Sequence, residues 1–145
     1  MTYNIIHRET GEGVFDPYLA GNEAIEEAIA EYGKDQSREK LAAVVNAIHE
    51  RMVHDGHFMI PVVRTEDNAF AFRFVETEDQ QAWPVVFTSM EEYGKGEEST
   101  ILSNYMDTTL KACLESEVPG IAVNPWGESL FLTKKLIEMM FEAER

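Results

Sequence analysis

One cysteine in 145 residues, Cys113, leaves no partner for an internal disulfide and excludes a zinc site built on several thiolates. Basic residues are also scarce. Twelve Lys and Arg stand against 27 Asp and Glu, a formal charge of −15 that repels polyanions through the ionic atmosphere. Nucleic acid and anionic membranes are therefore poor partners, whereas a basic protein or a cation would be attracted. No apolar run approaches the ~20 residues needed to cross a bilayer. The start of the chain, MTYNIIHRETGEG, has no basic segment followed by an apolar one, so a cytoplasmic protein is expected. Also missing are Gly-x-Ser-x-Gly, a P-loop, any internal repeat and any low-complexity linker. A hydrophobic content of 44% can fill one compact core in a chain this short, and one domain is expected.

What is present is punctuation and periodicity. Gly11, Gly13, Pro17 and Gly21 break any long element, so residues 1–21 read as an N-terminal arm or loop with room for a short strand at Tyr3, Ile5 and Ile6. Asn22 reads as the cap of a helix over about 23–32, with Ile25, Ala28 and Ile29 inward. Asp35 or Ser37 opens a longer helix to about His54, along the stripe Leu41, Val44, Val45, Ile48 and Met52. Residues 58–63 form a strand in which Pro61, lacking an N–H, points to a sheet edge. Phe70, Phe72 and Phe74 alternate with smaller or charged residues as a half-buried strand does, and residues 83–87 supply a third strand.

Ser89, with Glu92 three residues on, forms a capping box for a short helix. Over about 100–117, Leu102, Tyr105, Met106, Leu110, Cys113 and Leu114 keep helical spacing. Ile121 to Val123 and Leu130 to Leu132 read as the strands of a hairpin turned by Asn124, Pro125, Trp126 and Gly127. Leu136, Ile137, Met140 and Phe141 mark a closing helix capped by Thr133. The order ααβββααββα implies an α+β fold, a mixed sheet of about five strands with helices packed against it. The crossover between Phe87 and Gly120 makes their two strands a parallel pair.

The pieces VVFTSMEE, at 85–92, and GIAVNPWGESLFLT, at 120–133, resemble the SseB N-terminal domain family of bacteria. That family's pattern runs through a Phe-Thr-Ser strand end and a Gly-Ile-x-x-Asn-Pro turn. The resemblance extends from about Asn22 to the end, which implies a single SseB-like domain over residues 22–145 behind the arm of 1–21. It implies a fold rather than an activity, because no catalytic residues are established for the family.

Candidate chemistry is sparse. His49 and His54 lie five apart, about 140° around a helix, whereas the metalloprotease pattern needs a spacing of four and an adjacent Glu. His54, Asp55 and His57 could approach one another. Solvated surface histidines are the plainer reading, for His7 as well, and no metal or cofactor is expected. Cys113 lies on an inward stripe and reads as a small hydrophobe. The pairs Glu91 and Glu92, Glu97 and Glu98, and Glu115 and Glu117 read as solvated faces. No residue is assigned a catalytic role.

The residues that invite a role are Phe87, Thr88 and Ser89 at a strand end and Asn124, Pro125, Trp126, Gly127 and Glu128 at the hairpin tip. Trp126 has no evident core to fill. It is either exposed for a partner or folded back over Trp83, the closing helix or the Phe70 strand. The leading expectation is a non-enzymatic module that binds a protein, itself included, through these residues. The alternative is a small-molecule-binding domain or an enzyme of unassigned class, using Ser89, Asn124 and Glu128 in a crevice at the carboxyl ends of parallel strands. Self-association is expected to be a weak homodimer that strengthens with salt. It rests on the edge at Pro61 and on apolar Tyr3, Ile5, Ile6 and Phe15.

Overall fold

The computed structural model describes residues 4–6, 17–97 and 99–142. Chain order is β1 (Asn4–Ile6), a 3-10 turn (Pro17–Leu19), α1 (Glu23–Lys34), α2 (Arg38–Val53), β2 (His57–Arg64), β3 (Phe70–Phe72), β4 (Phe74–Glu76), β5 (Ala82–Val86), α3 (Met90–Tyr93), β6 (Thr100–Tyr105), α4 (Met106–Glu115), β7 (Gly120–Val123), β8 (Leu130–Thr133) and α5 (Lys134–Glu142). One sheet has the order β1-β6-β2-β3 and is antiparallel throughout. The other, β4-β5-β7-β8, is mixed: β5 and β7 run parallel, with Val85 opposite Ala122, and β7 and β8 close the expected hairpin.

The fold is α+β, with the parallel pair that the crossover predicts. The strands differ in number: eight short ones in two sheets among the described residues replace one sheet of about five. Two segments account for this. The Phe70 to Phe74 run is divided at Arg73, whose N–H donates to the Pro61 carbonyl at 3.2 Å and whose carbonyl accepts from Val85 N–H at 3.1 Å. The chain there leaves β2 and joins β5. Residues 100–105, expected as the first turns of a long helix, instead form β6. Ile101, Leu102, Ser103 and Asn104 are all buried between β1 and β2, and a strand covered on both faces shows no alternation.

Pro61 does not mark an edge. β2 is paired with β6 along one side and, along the other, first with Phe87 through a two-way bridge at Met59 (2.8 Å each) and then with β3 from Val62. The missing N–H falls where β2 passes from one partner to the next. The open edge on which pairing with a second copy was argued is thus occupied within the chain. β1 flanks β6, pairing Asn4 with Ser103 and Ile6 with Ile101. Tyr3, His7, Gly11, Gly13, Phe15 and Glu98 lie outside the described residues.

Alternation along the strands sorts two cores. Val86, Ile121, Val123, Leu130 and Leu132 face α1, α2, α4 and α5, meeting Ile25, Ile48, Leu110 and Ile137. Each such side chain contributes about 1.5–3 kcal/mol on full burial. On the other face Met59, Val85, Phe87, Tyr93 and Ile101 make a smaller core, roofed by Leu19, Val75, Met90 and Trp126. Ser37 caps α2 by accepting from Lys40 N–H at 3.2 Å. Asn22 precedes α1 without a side-chain cap bond, because its amide is used in the interior.

Candidate functional site

The two sheets meet at the Met59–Phe87 bridge, and the polar residues that sequence reading singled out gather just beyond it. Asn22 Nδ2 donates to the carbonyls of His57 and Thr88, both at 3.0 Å, tying the β2 and β5 chains together where their ladder stops. Its Oδ1 accepts from Arg51 Nε at 3.1 Å, and Arg51 Nη2 donates to the Tyr18 carbonyl at 3.0 Å. The amide is 1% exposed, and both its donors and its acceptor are used.

Asn124 ends β7 with φ of 52°, the left-handed region that Asn enters more readily than other residues with a Cβ. Its Oδ1 accepts from Thr88 N–H at 3.0 Å, and its Nδ2 donates to Thr88 Oγ1 at 3.0 Å. Thr88 Oγ1 in turn donates to the Glu26 carboxylate at 2.5 Å. The Asn124 carbonyl accepts from Gly127 N–H at 3.2 Å, which closes the turn. Phe87, Thr88 and Asn124 are therefore brought together, but inside the protein: all three are buried. The Thr88–Glu26 pair sets a hydroxyl against a carboxylate, yet Thr88 has no exposure through which a substrate could reach it. Ser89 Oγ accepts from Glu92 N–H at 3.2 Å, the expected cap. The Glu92 carboxylate does not complete the capping box; it accepts from Lys95 Nζ at 2.5 Å. That bond, opposed by desolvation and helped by the charges of Glu92, Glu91 and Glu26, holds the Lys95 ammonium above its ordinary range.

Trp126 is half-buried rather than standing free at the hairpin tip. Its ring lies 5.0 Å from Phe87 at 43° and covers Gly96, where a Cβ would come within 2.0 Å of the indole. The fold-back is onto Phe87 and Gly96, not onto Trp83, α5 or the Phe70 strand. Trp83 packs edge-on against Phe131, 5.0 Å away. Beside Trp126 opens a cavity of about 550 Å³ that Pro61, Val75, Val85, Arg73 and Lys95 help to line. Arg73 is paired with Glu97 at 2.9 Å, so both cations here already face carboxylates. Pro125 is half-buried, and Gly127 and Glu128 are exposed.

The histidines divide. His54 is exposed against Glu50. His57, expected in solvent, is 3% exposed: Tyr18 stacks on it at 4.4 Å, Tyr105 meets it edge-on at 4.5 Å, and its Nδ1 lies 2.8 Å from Ser103 Oγ. Among the described residues no three His, Cys, Asp or Glu side chains gather as they would around a metal. Cys113 is buried, and burial pushes its thiol up, so little of it is thiolate near neutrality and it reacts slowly. Sequence reading missed Glu26 and Arg51 as members of this cluster, since nothing local marks them. It took Asn22 for a simple cap, the commoner use of that residue at that place.

These features define an acidic α+β domain whose most specific polar residues join two sheets and shape one aromatic loop. The chain belongs to the SseB family: the model of the SseB protein N-terminal domain matches residues 25–139, most of the chain. No curated protein and no solved structure matches it. No helix among the described residues is long and apolar enough to cross a membrane.

Proposed function

We propose that this SseB-family chain is a non-enzymatic protein-interaction module, and that it docks a basic segment of another protein on the surface beside Trp126. The observation that carries this reading is the roughly 550 Å³ cavity at the indole, on the sheet face that the four long helices leave uncovered. A partly exposed aromatic beside a cavity is the kind of anchor that dominates binding energies. Around it Glu26, Glu91, Glu92 and Glu97 outnumber Arg73 and Lys95, and the whole chain carries −15, so a cationic partner is attracted and oriented. A second copy is the weaker candidate: β2 offers no free edge, and two chains of the same charge repel. The small-molecule alternative at Ser89 and Asn124 loses its polar groups to internal bonds.

The test is selection of a random displayed-peptide library on the immobilised chain. The expected peptides carry Lys or Arg around one apolar residue, and Trp126→Ala weakens them by at least about tenfold, a typical effect of removing a central anchor. Enrichment of acidic peptides, or equal binding to a folded Trp126→Ala chain, would overturn the proposal.

A further inference from the structure

A second cavity, of about 180 Å³, adjoins the one at Trp126 through Phe74 and Val85 but opens between α4 and the strands, with Cys113 in its wall and Phe72 and Phe74 at its exposed rim. We infer that it is a binding site for a small uncharged aromatic molecule of one ring or a fused pair. Its size fits: a cavity of about 150 Å³ lined by aliphatic and aromatic groups accepts benzene. Its chemistry fits as well. Not one lining residue is charged, in a chain of which 27% is. The two hydroxyls in the wall are already committed to their own helix, Thr109 Oγ1 donating to the Tyr105 carbonyl at 2.9 Å and Ser116 Oγ to the Ala112 carbonyl at 2.8 Å. A charged ligand would give up its hydration and find no counter-charge, which excludes carboxylates and amines.

The rim supports the same occupant. Phe72 and Phe74 are 43% and 51% exposed on strands at the margin of their sheets, where charged side chains usually stand. Two rings at the mouth offer edge and face contacts to a third ring entering between the strands and α4.

Cys113 is the built-in reporter. The purified chain is titrated with toluene, with benzoate as the charged counterpart, while Cys113 is labelled with a neutral thiol reagent. Toluene at about ten times its Kd is expected to raise Tm by roughly 3–6 °C and to slow labelling about tenfold. Benzoate does neither. Cys113→Met, which fills the cavity, removes the Tm response. Phe72→Lys alters an exposed rim residue that the Trp126 cavity does not share, so the fold and that site are kept; it weakens toluene at least about fivefold, a loss within the range of one aromatic contact. Equal responses to toluene and benzoate, or unprotected Cys113 at saturating toluene, would overturn the inference. So would protection by a phenylalanine-bearing peptide but not by toluene, which would make the cavity a socket for a partner's side chain.

Discussion

Asn22→Ala tests the claim that one buried amide clamps the two sheets. The substitution deletes the bonds to the His57 and Thr88 carbonyls and the bond from Arg51. At about 0.5–1.5 kcal/mol net for each, with the guanidinium bond at the upper end, the loss comes to about 3 kcal/mol. For a urea m-value of about 2 kcal/mol/M the unfolding midpoint falls by roughly 1.5 M, followed by the fluorescence of Trp83 and Trp126. Asn22→Asp sharpens the test because it keeps the shape. One oxygen can still receive Arg51, but the other now faces two carbonyl oxygens where an NH₂ had donated. At pH 7 the aspartate variant should be no more stable than the alanine variant. The introduced carboxyl is held above its unfolded range by those carbonyls. Its penalty is therefore full at pH values above the folded pKa and is relieved as pH falls through that pKa towards the unfolded one. Relative to Asn22→Ala, Asn22→Asp should improve between about pH 7 and pH 4. An alanine variant within about 0.5 kcal/mol of the parent, or an aspartate variant clearly more stable than alanine at pH 7, would refute the clamp.

Asn124→Ala should cost about 1 kcal/mol more than Asn124→Gly in urea unfolding, because both lose the Thr88 bonds but only alanine meets the left-handed φ of 52° with a Cβ. Gly96→Ala should expel the Trp126 indole, read as a red-shifted emission and about 1–3 kcal/mol of lost stability; an unshifted spectrum would mean that the ring does not rest there. Gly120→Ala should destabilise strongly, since a Cβ there would lie 2.1 Å from the Leu132 carbonyl oxygen. Cys113 should label slowly as pH climbs through the ordinary thiol range, because burial keeps it protonated. The unfolded chain ionises first, so stability falls as pH rises from the unfolded thiol pKa towards the folded one.

Much of this architecture could be read from the chain, for local reasons. The stripe from Val44 to Met52, the hairpin around Asn124 and Gly127, and the Ser89 cap each declare themselves within a few residues. Where the deciding interactions were non-local, sequence reading erred. Leu102 and Tyr105 of β6 keep helical spacing with Met106, the first residue of α4, and only the place of β6 between β1 and β2 makes it a strand. Arg73 looks like the polar member of one alternating run, yet its backbone serves two sheets. Pro61 suggests an edge by its chemistry, while the arrival of Phe87 and then β3 decides otherwise. The candidate residues Thr88 and Asn124 were correctly placed side by side, but no local signal distinguishes a buried lock from a surface contact. Trp126 found its cover in Gly96, thirty residues away, whose missing side chain is visible only once the loop is in place.

The measurement that bears most directly on the interaction account is a titration of Trp126 emission. Trp83→Phe leaves Trp126 as the sole indole, and it sacrifices no hydrogen bond seen in the structure, since the Trp83 Nε1 has no partner among the described residues. A basic peptide from the display selection is added at about 20 mM and at about 500 mM salt, where the Debye length shrinks from roughly 20 Å to 4 Å. The account predicts a saturable shift of Trp126 emission at low salt and an affinity at least about tenfold weaker at high salt, as expected when charge attraction steers an anchored contact. A peptide that binds without moving the emission, or with an affinity indifferent to salt, would contradict it.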